Sequence, residues 1–261
     1  MVEPLYRSER YYHEVVRGSI PQSQSIGRYG NADLGTTLVP VSSGGIYPMP
    51  PPSGATQLRI KAGGNANDSF TGSGAQLVLM EGYNVLGQAI SDILPTNGTE
   101  ASINTVNSYF RLQGVTVIQS GTYATATTGS HAGDICIEDA AGTQDWACIE
   151  SSPFPFSRAA IGPILTPPNK NTFIEIASIS VEGVKVADFY LMARVNALVE
   201  TPPLPSLFRI YGTSGISGGI ELDTRISLGP IAPLTDLIPM GRMSSGTGRM
   251  NVGISYVFEE L

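Results

Sequence analysis

The sequence is poor in charged residues, histidine, cysteine and tryptophan, and these shortages exclude several classes of function. Charged residues make up 14% of the 261 residues, against about 25% in an average soluble domain. The 22 Asp and Glu residues outnumber the 15 Lys and Arg residues, so the net charge is −7. Binding to a nucleic acid backbone depends on clustered Lys and Arg, and we therefore expect no direct nucleic acid ligand.

The scarcity of histidine and cysteine argues against catalytic and metal sites. Of the two histidines, His13 lies in the N-terminal segment and His131 lies three residues before Asp134 in a turn; no serine lies on a strand-to-helix elbow where it would act as a nucleophile. Asp68 and the asparagines before it offer oxygen atoms for Ca²⁺ but lack the distal Glu of an EF-hand, so a hairpin loop is the favoured interpretation. We expect no enzyme activity, no metal and no cofactor.

Long apolar segments are also missing. No window reaches 18 consecutive apolar residues, and the first residues lack the basic and apolar regions of a signal peptide. We expect synthesis in the cytosol and no membrane association.

Glycine and proline are abundant, and the chain after residue 55 reads as short alternating runs broken by turn residues. There are 30 Gly and 19 Pro residues. Regular strand-sized runs of this kind predict an all-β domain over 55–261, an antiparallel β-sandwich or jelly-roll-like domain. The candidate strands are at 57–61, 76–80, 109–118, 134–138, 145–149, 172–180, 189–195, 208–211, 220–227 and 252–258.

Residues 1–54 have a different composition, because they are rich in tyrosine and then in Ser, Gly and Pro. We predict an extended N-terminal arm that ends in a stiff Pro-rich spacer at Pro50, Pro51 and Pro52. Tyrosine offers large apolar area with a hydroxyl, which suits contact with a neighbouring subunit; a disordered tail is the alternative. The predicted interface residues of the arm are Tyr6, Tyr11, Tyr12, Tyr29 and Tyr47.

One hairpin has a register that can be argued from the sequence. If it is symmetric about Gly142, then Cys136 faces Cys148, and Trp146 lies with them on the less apolar face. Facing cysteines are close enough for a disulfide, but cytosolic synthesis favours two reduced thiols, so both states remain open. Trp146 is then a candidate for contact with a partner or a glycan.

The central block resembles a family of structural virion proteins of tailed bacteriophages. The likeness rests on the order of four motifs: the run 67–83 with its Gly-Ser-Gly-Ala strand, the Asn-Gly-Thr turn at 97–99, the Phe-Arg-Leu strand at 109–118 and the Gly-Asp-Ile segment at 133–137. It covers roughly residues 55–180, with weaker similarity at 235–238 and 252–258. Gln76 stands where the family usually has arginine, so a charge at that position is not implied.

This resemblance implies a structural role in a phage particle. We therefore expect a non-enzymatic component of the head, neck or tail, made in the host cytoplasm, which packs against itself and other virion proteins as a homo-oligomer, either a trimer or a ring. The alternative is a carbohydrate-binding β-sandwich module of a tail appendage, with Trp146 in a platform that stacks on host surface glycans.

Overall fold

The computed structural model describes residues 11–21, 23–43, 46–48, 54–122, 130–151, 157–199 and 203–260. These residues form one short helix, α1 (Tyr11–Val16), and fifteen strands. The strands are β1 (Ser23–Leu34), β2 (Val39–Pro40), β3 (Leu58–Ile60), β4 (Ala75–Tyr83), β5 (Ala89–Pro95), β6 (Arg111–Ser120), β7 (Ile135–Asp139), β8 (Asp145–Ile149), β9 (Ile164–Leu165), β10 (Lys170–Val181), β11 (Val186–Arg194), β12 (Phe208–Ser217), β13 (Gly219–Ile231), β14 (Asp236–Met243) and β15 (Gly248–Glu260).

The strands form four sheets in which neighbouring strands are antiparallel. The first sheet has the order β1-β15-β10-β13, and the second has the order β12-β11-β14-β2, with β9 also paired to β14. The third sheet is β3-β7-β8 and the fourth is β5-β4-β6. The prediction of an all-β, antiparallel protein is confirmed.

Strand β15 shows how the sequence selects this structure. Its alternate residues point into one core, which is the period of two that a strand with one buried face requires. The buried members are Met250, Val252, Ile254, Tyr256 and Phe258. The strand pairs with β1 on one side and β10 on the other, and it thus holds the centre of the first sheet.

Two apolar cores join the sheets. The first core lies between the first and second sheets and contains Leu34, Phe189 and Tyr256. The second core joins the third and fourth sheets to the other face of the second sheet, through Ile238 and Met240 of β14. Because Arg28 of the first sheet also bonds to Gln113 of the fourth sheet, the four sheets make a propeller-like ring rather than a defined sandwich or jelly roll.

The predicted N-terminal arm is largely part of this fold. Residues 23–34 pair with β15 over twelve consecutive positions, and β2 pairs with β14. Leu34 and Val41 are buried in the first core. For these described residues, the prediction of a separate arm with a boundary at residue 54 is wrong, because β1 supplies core side chains as well as backbone hydrogen bonds. The predicted spacer at 50–52 lies outside the described residues.

The ten candidate strands all coincide with observed strands, and the five others escaped the sequence patterns for identifiable reasons. Strand β1 contains glycines and polar residues that break its alternation. Strand β5 ends at Pro95, and β14 carries Pro239 between two paired neighbours, although proline is disfavoured inside sheets. Strands β2 and β9 have two residues each.

We predict that Leu34→Ala lowers the free energy of unfolding by about 2–5 kcal/mol, because it removes a fully buried side chain from the first core. Urea denaturation followed by circular dichroism measures the change. Val184→Ala, at a side chain that is 94% exposed, is the matched control and should leave the midpoint almost unchanged. Equal stability of the two variants would show that β1 does not contribute to the core.

Candidate functional site

The outer face of the fourth sheet presents a group of apolar side chains that are partly or largely exposed. Val78 and Met80 of β4 point into the second core, so Leu77 and Leu79 between them point outward. Leu79 pairs with Ile93 of β5 and with Thr116 of β6. Ile93 and Ile118 are 55% and 45% exposed. We name Leu77, Leu79, Ile93 and Ile118 the apolar face.

The loop that follows β5 lies along the free edge of that strand. The Ser91 carbonyl accepts a hydrogen bond from Asn107 Nδ2 at 3.1 Å, and Asp92 Oδ1 accepts one from the Val106 amide at 2.9 Å. Val106 is 87% exposed. Ile103 of the same loop is exposed too, so apolar side chains extend from the sheet face onto its edge.

A buried ion cluster connects the fourth sheet to the second. Arg194 and Asp236 are directly opposed on β11 and β14, and their side chains meet with Nη2 to Oδ2 at 2.7 Å. Arg111, at the start of β6, donates from Nε and Nη2 to the two carboxylate oxygens of Asp236 at 2.9 and 3.0 Å. All three side chains are buried. One carboxylate thus fixes strands from two sheets through bidentate, charge-assisted hydrogen bonds.

The two predicted arm tyrosines whose side chains the structure describes, Tyr29 and Tyr47, do not share a surface. Tyr47 is buried in the second core near the ion cluster; burial, together with the Asp236 carboxylate, raises the pKa of its hydroxyl above the usual range. Tyr29 is exposed on β1, and its hydroxyl donates to Asn251 Oδ1 at 2.8 Å. Tyr11 and Tyr12 lie in α1, and Tyr6 is outside the described residues. Tyr47 is therefore corrected from an interface residue to a core residue.

Trp146 lies inside the protein, not on its surface. Its side chain is 1% exposed and belongs to the second core. The predicted register, symmetric about Gly142, holds for residues 135–137 but breaks at Glu138, which pairs with Asp145, so that a bulge at Trp146 turns the indole inward. A buried indole does not stack on a glycan, and Trp146 is withdrawn as a partner or glycan contact.

The predicted pairing of the two cysteines is confirmed. Cys136 and Cys148 occupy opposed positions on β7 and β8, and a disulfide joins them. The preference for reduced thiols is therefore corrected. Directly opposed positions on antiparallel strands bring the two cysteine side chains close enough for the bond.

The side chains of Asp68 and His131 are buried and make structural contacts. Asp68 Oδ1 accepts hydrogen bonds from the amides of Ala75 and Ala132, and Oδ2 accepts one from Gly133, each at 2.8 Å. His131 is fully buried, with Ser130 Oγ 2.6 Å from Nδ1. A carboxylate that accepts from three amides holds the loops at 68–75 and 132–133 together.

Two absences concern only the part of the chain that the structure describes. That part contains no group of three or more His, Cys, Asp or Glu side chains placed to hold a metal ion. It also contains no helix that is long and apolar enough to cross a membrane.

Comparisons with known proteins leave the family open. No protein-family model and no curated protein matches the chain. Among solved structures, the crystal structure of the infectious bursal disease virus VP2 subviral particle aligns with 96% of this chain and 82% of that chain, at 8% identity and a TM-score of 0.17. A TM-score this low carries no argument about fold or function.

The apolar face was missed by the sequence analysis, although β4 contained a signal for it. The run from Leu77 to Met80 is continuously apolar, whereas an antiparallel strand with one face in water alternates between apolar and polar residues. Both faces of β4 are therefore apolar, and the outward one belongs to the surface.

We predict that Asp236→Asn destabilises the protein by about 3–5 kcal/mol, because two buried guanidinium groups lose their shared carboxylate. Chemical denaturation measures the loss. Asp145→Asn removes the partner of Lys61 at a partly exposed ion pair, and as a control it should cost no more than about 1 kcal/mol. Comparable losses in both variants would mean that the cluster does not tie the sheets together.

Proposed function

We propose that the chain is a non-enzymatic structural component of a tailed-phage virion, part of the head, neck or tail, and that it acts by packing against copies of itself and other virion proteins. The observation that carries this proposal is the apolar face. Contiguous exposed apolar side chains on a folded protein are typical of interaction surfaces. The resemblance of residues 55–180 to phage structural proteins supports the choice of particle.

The charge of the chain supports self-association through this face. Copies that each carry a net charge of −7 repel one another. Contact is least opposed where the touching surfaces are uncharged, and Leu77, Leu79, Ile93 and Ile118 provide such a surface. A second copy of the chain is therefore the occupant that we propose.

The location of the face supports a closed homo-oligomer, either a trimer or a ring. It lies on one side of the fourth sheet, and in a trimer or ring it packs against a different surface of the next copy, because cyclic closure beyond a dimer needs head-to-tail contacts. We further propose that the first and second sheets, which share one core, serve as a sandwich-like unit that holds the fourth sheet rigidly in place.

We predict that Ile93→Glu prevents self-association of the full chain without changing its thermal stability. Ile93 points outward, so the folded monomer tolerates the substitution, while a contact would bury an unpaired carboxylate. A central interface residue contributes roughly 2 kcal/mol or more, which weakens association about 30-fold. Sedimentation velocity over a concentration series measures the species present.

Val184→Glu is the matched control, since Val184 is exposed on the turn between β10 and β11, away from the fourth sheet. It should associate like the unmodified chain. A monomeric unmodified chain, or equal loss of association in both variants, would contradict the proposed role of the apolar face.

A further inference from the structure

A cleft of about 360 Å³ opens between the edge strand β1 and the fourth sheet. Its walls include Arg28 of β1, Glu81 and Tyr83 of β4, Ser91 of β5, and Arg158. The volume falls within the range of small-ligand sites, about 300–1,000 Å³. The cleft lies beyond the apolar face along the same strands of the fourth sheet, and the proposed packing does not use its arginines.

Arg28 is an unusual residue for its position. It pairs with Ile254, whose side chain is in the first core, so the guanidinium extends along the core-facing side of the first sheet. Nη1 donates to the Gln113 carbonyl at 2.6 Å. Nε is buried and has no hydrogen-bond partner within the described residues. A buried donor without an acceptor is destabilising, which makes this atom the strongest unexplained feature of the cleft.

Arg158 brings a second positive charge to the cleft, and without a bound anion the two arginines repel each other. Burial, followed by the positive charge of Arg158, lowers the pKa of Arg28. Tyr256, Tyr83 and Glu81 act in the opposite direction, but within the described part of the chain neither arginine forms an ion pair with a carboxylate. The hydrogen bond to the Gln113 carbonyl explains why the Arg28 side chain points into the cleft. It does not explain the unpartnered Nε or the presence of Arg158 beside it.

We propose that this cleft binds the oxyanion group of a small ligand, a carboxylate or a phosphate. An arginine with a free Nε–H offers one of the parallel donors that such groups accept in pairs. An anion between Arg28 and Arg158 relieves the repulsion between them and supplies the missing acceptor. Glu81 opposes the ligand and limits its charge, while the Tyr83 and Ser91 hydroxyls lie on the same walls.

The full chain is titrated with sodium phosphate and, in a separate experiment, with sodium acetate. Sodium chloride is adjusted to keep the ionic strength constant. Nitrogen–proton NMR spectra that include the arginine Nε–H signals measure binding. We expect saturable shifts of the Arg28 Nε–H signal with one of the two oxyanions. Preference between phosphate and acetate identifies the group, and the absence of saturation with both overturns the proposal.

Arg158→Gln is the decisive variant, because Arg158 is exposed and its loss should not disturb folding. It should bind about tenfold more weakly, as expected for the loss of one charge-assisted hydrogen bond. Glu81→Gln should bind more tightly, since a repelling charge is gone. Arg17→Gln, at an exposed side chain of the segment after α1, is the matched control.

Equal affinities of Arg158→Gln and Arg17→Gln would also overturn the proposal. Folding of every variant is checked by thermal denaturation, and Arg28→Gln is compared only if its denaturation midpoint matches that of the unmodified chain. Binding is measured on the dissolved chain, so the result does not depend on whether the apolar face mediates assembly. The same titration of the Ile93→Glu variant separates the two proposals. This variant should still bind the oxyanion, because the substitution lies on the apolar face and not in the cleft.

Discussion

The arrangement of the sheets depends on the ion pairs that the buried Asp236 carboxylate makes with two arginines. The carboxylate accepts hydrogen bonds from Arg194 on the neighbouring strand of its own sheet and from Arg111 at the start of β6 in another sheet. Two cations and one anion leave a buried excess of positive charge, which is tolerated because backbone carbonyls of Phe110 and Ala197 accept further donors. Apolar packing alone is non-directional, whereas this cluster fixes the angle and register at which the second and fourth sheets meet.

The orientation of the fourth sheet follows from that constraint, and both proposed sites are on this sheet. Val78 and Met80 face the second core, so the alternate residues of β4 form a surface that is apolar near Leu79 and polar near Glu81. At the polar end, near Glu81, Arg28 of the first sheet donates a hydrogen bond to the Gln113 carbonyl of the fourth sheet. A protein with few charges therefore presents one surface suited to packing against neighbours and one cleft suited to an anion.

The sequence predicted the strands that alternate clearly and failed where another contact decides the structure. Strand β15 alternates from Met250 to Tyr256 and was recognised at 252–258, whereas β1 contains Gly27 and Gly30 and is held by its pairing with β15. Gly30 is required because an added Cβ would clash with the Val41 carbonyl oxygen. The hairpin register was correct at Cys136 and Cys148, but the bulge that buries Trp146 depends on the second core. The ion cluster joins residues 111, 194 and 236, which no local pattern connects.

The central claim is that copies of this chain meet through the outer face of the fourth sheet. Hydrogen–deuterium exchange of the full chain at low and high protein concentration tests it most directly, because association protects only the amides that it covers. We predict that concentration slows exchange in β5 and in the adjoining loop at 103–107, and leaves exchange in β12 unchanged. Identical exchange at every concentration, or protection confined to other sheets, would contradict the account.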